Sequence, residues 1–156
     1  MSGLRFAVGL LVITLCAPCA NAPIVPVTVC EVLHDLSAAG RAPVAVMGRY
    51  SFRSDGRWLS EQACDGAAPP VLWLVEDGSA GPKPPADFEL DGVVLGRKFS
   101  QMQMHTALGK FRFGSSDYDR WAVVYGQVQP RAGEAAKKAP ADLVFRGDGV
   151  VVFLTP

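Results

Sequence analysis

The sequence predicts an α+β chain that is mainly β, a small, partly open barrel or roll of about five strands with one or two helices. Three observations carry that expectation. Side chains alternate at period two over about 43–53, and the Trp121–Val128 stretch is again strand-like. Turn chemistry at Ser54-Asp55-Gly56, Gly114-Ser115-Ser116-Asp117 and Gly147-Asp148-Gly149 separates such segments. Helical spacings of three and four occur in only two stretches, near 29–38 and after Asp87.

The elements follow in order. Thr28-x-x-Glu31 has the form of a capping box, Val29, Val32, Leu33 and Leu36 share one helical face, and Gly40 supplies a stop, so a helix is expected over 29–38. A hairpin follows, with strands at about 43–53 and 57–62. Val71-Leu72-Trp73-Leu74-Val75 is a continuous apolar run, too short for a helix and suited to a buried strand. Asp87 is expected to cap a second helix through Phe88, Leu95, Phe99 and Met102, weakened by Gly92 and Gly96. Alternation at Lys110–Phe113, the Trp121–Val128 run, Leu143–Phe145 and Val150–Leu154 then read as strands, with Pro130–Pro140 as a polar loop.

Apolar and aromatic residues make up 49% of the 156 residues and charged ones 19%, the balance of a chain that buries a core. Lysine plus arginine equals aspartate plus glutamate at 15 each. A near-neutral domain lacks the basic footprint of a nucleic-acid binder or of a protein held to anionic lipid, so nucleic acid is an unlikely partner on this ground.

Residues 1–22 read as a signal peptide and 23–156 as one domain. Arg5 gives a short positive start, and Phe6 to Leu15 is an apolar run well below the roughly 20 residues that span a bilayer. Ala20-Asn21-Ala22 is the best small-x-small cleavage site, although it places Pro23 after the cut, and cleavage after Cys19 or Ala20 is the alternative. No small residue precedes Cys16 or Cys19, which argues against lipoprotein anchoring. The expected location is therefore periplasmic or secreted, with no membrane span once the signal is removed.

Cys16-Ala17-Pro18-Cys19 has thiol-oxidoreductase spacing but falls inside the discarded segment. Cys30 and Cys64 remain, and an even count in an oxidising compartment points to a disulfide, the alternative being two buried free thiols. Such a bridge closes a loop of about 35 residues, a constraint worth about 3–4 kcal/mol in the chain-entropy picture.

Cys30-x-x-Leu33, Gly40-Arg41-x-x-Val44-x-Val46-x-Gly48, Gly56-x-x-Leu59 and Cys64 resemble a group of small exported bacterial proteins of OB-like pattern. The resemblance covers about half of the mature chain and implies a small OB-like partly open barrel, its front half a glycine-ended helix leading into a hairpin. It carries no catalytic residue over, and a barrel of that kind hosts nucleic-acid, sugar and protein binding alike.

The densest polar and aromatic cluster is Asp117-Tyr118-Asp119-Arg120-Trp121, between two expected strands. Tyr118 and Trp121 are the candidates for stacking a ligand, and Asp117 and Asp119 for binding a cation, against a plain turn leading into a core strand. His34 reads as a solvated helix residue. His105 follows Met102 and Met104, which diverge on a helix, so core packing of Met102 is favoured over a soft-metal site. Lys110 and Arg112 alternate with Phe111 and Phe113, which separates cations from rings and fits core-in, solvent-out packing. No phosphate loop, H-E-x-x-H or G-x-S-x-G motif is present.

The expectation is a non-enzymatic binding or interaction module of the periplasm or envelope, with no cofactor or metal, taking a protein or small ligand near Tyr118 and Trp121. The alternative is a small hydrolase or metal-handling protein built on Asp117, Asp119 and a histidine.

Overall fold

The structure is a computed structural model that describes residues 22–66, 69–109, 118–147 and 151–154. Chain order is β1 (Val27–Thr28), α1 (Val29–His34), α2 (Leu36–Ala39), β2 (Val44–Arg53), β3 (Gly56–Ser60), β4 (Val71–Glu76), α3 (Gly92–His105), β5 (Tyr118–Pro130), α4 (Gly133–Lys138), β6 (Ala141–Phe145) and β7 (Val151–Leu154). No helix among the described residues is long and apolar enough to cross a membrane.

Five of the strands close on themselves. β2 pairs antiparallel with β3, β3 with β4, β4 parallel with β6, and β6 antiparallel with β5, which returns to β2. The barrel is OB-like as expected, and it is closed rather than partly open. Closure depends on the thirteen-residue β5, whose first half lies along β2 from Phe52↔Tyr118 to Val44↔Gly126, while its second half lies along β6. At the change of partner sits Gly126, where a Cβ would come within 2.7 Å of the Val144 carbonyl. A larger residue there would push β6 off the seam.

Alternation along these strands builds two cores. Val46, Tyr50, Leu59, Leu72, Leu74, Val124, Leu143 and Phe145 fill the barrel, closed at one end by Val29, Val32 and Leu33 of α1. Met47, Trp121, Val123 and Tyr125 point outward and are covered by α3 through Met102, Leu95 and Phe99. β7 borders this second layer by pairing with β5 from Trp121↔Leu154 to Val124↔Val151. Interior packing of this kind contributes about 25 cal/mol per Å² of apolar surface removed from water.

The capping box at the start of α1 is present: Glu31 N–H donates to Thr28 Oγ1, and Thr28 N–H donates to the Glu31 carboxylate. The expected 29–38 helix is broken at Asp35, whose carboxylate accepts from Ala38 N–H and Ser37 Oγ and restarts the chain as α2. Aspartate competes with the helix backbone in this way. Those bonds hold the exposed Asp35 carboxyl below its ordinary range.

Two further expectations are corrected. The long helix is capped by Asp91, which accepts from Val93 and Val94 N–H, and not by Asp87. The 88–90 segment is instead held by Ile24, whose N–H donates to Glu89 and whose strand-like bridge pairs it with Leu90. The 130–140 loop contains α4, where Lys137 pairs with Glu134 one turn away. The expected strand at Lys110–Phe113, the Gly114–Asp117 turn and most of the Gly147–Gly149 turn lie outside the described residues.

The predicted disulfide is formed: Cys30 at the start of α1 joins Cys64 after β3, with Cα atoms 5.2 Å apart. It fastens the helix that plugs the barrel to the connection between β3 and β4.

Candidate functional site

The outer face of β3, β4 and β6 carries an aromatic and charged row. Trp58 and Trp73 stand directly opposite each other across β3 and β4, and Asp142 of β6 stands opposite Trp73 on the other side. The two indoles are stacked, centroids 5.5 Å apart with 17° between planes, and both are half-buried. Arg131, just past β5, lays its guanidinium 5.6 Å from the Trp73 ring centroid and places Nε 3.0 Å from Asp142 Oδ1. A guanidinium over an indole face is a favourable arrangement, and one oriented by a carboxylate is held in it.

The local sequence explains why the rings meet. Ser54 and Asp55 turn the chain in two residues, and Gly56 leaves the turn at φ +141°, a region that disfavours side chains. A Cβ on Gly56 would collide with the six-membered ring of Trp73. The turn, the Trp73 edge and α4 enclose a shallow groove of about 340 Å³, lined by Asp55, Trp73, Arg131, Glu134, Ala135 and Lys138. It lies between the β2–β3 turn and the β5–β6 connection, the two loops that flank the ligand face of OB-type barrels.

The sequence-predicted cluster is divided by the pleat of β5. Tyr118 faces the barrel, where its ring stacks on Phe52 at 5.6 Å and Tyr50 at 6.0 Å, and burial raises its hydroxyl above the ordinary range. Asp119 faces outward, its side chain only 3% exposed, and accepts from Ser51 Oγ at 2.5 Å and from Arg53 at 2.9 and 3.0 Å. Burial works to raise this carboxyl, but the Ser51 and Arg53 hydrogen bonds outweigh it and hold it below the ordinary range. Trp121 is 4% exposed and meets Phe99 edge-on beneath α3. Asp117 lies outside the described residues.

These positions have chemical consequences. Asp119 is neutralised by an arginine and acts as a strap on the β2–β5 seam. Trp121 packs a core layer and offers no face to a ligand. Tyr118 belongs to the barrel mouth, where Arg120 lies 5.8 Å from its ring centroid and 5.6 Å from that of Phe153. His34 and His105 are both exposed at helix ends, and Met102 is buried while Met104 is 72% exposed, as their divergence on a helix implies.

A second charged set closes the barrel mouth. Arg57 pairs with Glu76 and lies 5.2 Å from the Phe145 ring centroid. Desolvation would lower the Arg57 pKa, but hydrogen bonds to Glu76 and Tyr50 more than compensate and keep it charged.

Trp58, Trp73 and Arg131 were not legible as a unit. The apolar run around Trp73 reads as buried on both faces, and Arg131 sits in what reads as a plain loop. The available signal was Trp58 two residues after Gly56, which places it outward on a strand leaving a turn.

The chain matches no family model, no curated protein and no solved structure.

Proposed function

We propose that the protein is an exported, non-enzymatic binding module of the periplasm or cell envelope, receiving its partner in the groove between the β2–β3 turn and α4. The observation that carries this reading is the stacked, half-buried Trp58–Trp73 pair, extended by Arg131, on the outer face of the barrel. Aromatic rings and arginine are the side chains that most often dominate binding energy at protein surfaces. Asp55 and Lys138, on opposite rims, offer one charge of each sign.

Export is supported by the signal-like residues 1–22, by the Cys30–Cys64 disulfide and by the resemblance to small exported proteins. The engagement of Asp119 by Ser51 and Arg53 weighs against using it for hydrolysis or cation binding.

Lysine-directed cross-linking of envelope fractions tests the reading. We expect adducts mapped to Lys138, reduced several-fold in Asp55→Ala and Trp73→Ala proteins that retain native circular dichroism. Adducts spread equally over Lys83, Lys98 and Lys138, or unchanged in Asp55→Ala, would reject the groove. Recovery of uncleaved precursor from the cytoplasm alone would reject export.

A further inference from the structure

A larger and different cleft lies on the other side of the molecule, where α3 faces α1 and the connection after β3. It encloses about 570 Å³, within the range of small-molecule sites. Along α3, Arg97, Gln101 and His105 recur every four residues and line it as one stripe. No hydrogen bond or ion pair among the described residues engages those three side chains. The opposite wall contains Glu61 and Gln62.

The cleft is held open by fixed points. Lys98 pairs with Glu31 at 2.5 Å and joins α3 to α1. At the far end Gln62 N–H donates to Thr106 Oγ1 at 3.1 Å, and Thr106 is buried. Behind the wall, Cys30 N–H donates to Glu61 Oε1 at 3.2 Å, beside the disulfide. Glu61 is thereby oriented with one carboxylate oxygen still open. A site preformed in this way loses little entropy on binding.

The chemistry of the wall narrows the ligand. Arg97 calls for an anion, Glu61 repels polyanions and calls for a cation, and Gln101 and Gln62 each offer an amide donor and an acceptor. Among the described residues no Phe, Tyr or Trp lines the cleft, and the imidazole of His105 is the one ring there, so a sugar finds no broad stacking platform. A peptide backbone offers alternating N–H and C=O groups, and with free termini it carries an opposite charge at each end. The stripe from Arg97 to His105 rises about 12 Å, so the α3 wall is long enough to run beside about three extended residues.

We propose that this cleft binds a short peptide with free termini, its carboxylate at Arg97 and its ammonium at Glu61. The inference is independent of the tryptophan groove. The test titrates tri-alanine, its N-acetyl form and its C-terminal amide into the oxidised protein, followed by NMR or calorimetry. Expected is binding of tri-alanine with at least a tenfold loss for either blocked form. Arg97→Gln should abolish the penalty for amidation and Glu61→Gln the penalty for acetylation, each keeping the other. No binding of tri-alanine at about 10 mM, or equal binding of all three peptides, overturns the proposal. So does an Arg97→Gln protein, altered only at an exposed position, that still discriminates against the amide.

Discussion

One nitrogen of Arg53 is shared between the two carboxylate oxygens of Asp119, at 2.9 and 3.0 Å, while the other donates to the carbonyls of Phe52 and Tyr118. A single guanidinium thus binds the side chain of β5 and the backbones of both β2 and β5 at the open end of their seam. Asp119→Ala should destabilise the fold by about 2 kcal/mol, because the loss strands Arg53 and Ser51 in a partly buried setting. Urea denaturation measures it.

The same pair sets an acid limit. The folded carboxyl of Asp119 lies below the ordinary value of about 3.9 found in an unfolded chain, so unfolding takes up protons as pH falls. Its contribution is complete above the unfolded value and is lost as pH drops through the folded one. Wild type should therefore lose stability below about pH 4, and an Asp119→Asn protein should show a shallower loss over that window.

Replacing both cysteines in a Cys30→Ser, Cys64→Ser protein should cost about 3–4 kcal/mol. Hydrogen exchange should rise first in α1, which the bridge fastens over the barrel end. Intact mass after alkylation without reduction should show neither cysteine modified in the wild type.

Gly56→Ala combines a disfavoured backbone region with a collision against Trp73, and a loss of about 1–3 kcal/mol is expected. Near-ultraviolet circular dichroism should show the indole pair uncoupled. Retention of the wild-type signal would contradict the packing described.

Trp121→Ala should behave as a core deletion, costing about 3–5 kcal/mol and loosening α3. Tyr118→Phe, which keeps the ring stacked on Phe52 and Tyr50, should cost far less.

Periodicity made the strands legible because alternate side chains enter different layers, as in β2, where Val46 and Tyr50 enter the barrel while Ala45 and Met47 join the layer under α3, and turn residues located the hairpin at Ser54–Asp55. The capping box was legible because it is written within four residues. What was not legible depends, apart from one local break at Asp35, on distant partners. Asp35 breaks a helix whose hydrophobic spacing is intact, through a bond to its own neighbours. Asp87 and Asp91 are equivalent as caps until Ile24 takes the 89–91 segment as a strand-like partner. In the Asp117–Trp121 cluster, adjacency suggested one surface, yet a strand sends neighbours to opposite sides. The tryptophan row lies across β3, β4 and β6, the last of them far from the other two in the chain, and appears only once their register exists.

The Val46↔Val124 pairing on the β2–β5 seam has a kinetic meaning. Most of the domain lies between those partners, so closing the seam carries a large loop entropy before any contact repays it. β2 and β3 can meet early through a two-residue turn, but the barrel has no complete wall until β5 arrives. Folding should consequently be slow for a chain of this size, with an open, β-rich form preceding the closed one. In the interval the edge of β2 that β5 will cover is bare, and it is then that the chain is most exposed to wrong pairing with a neighbour.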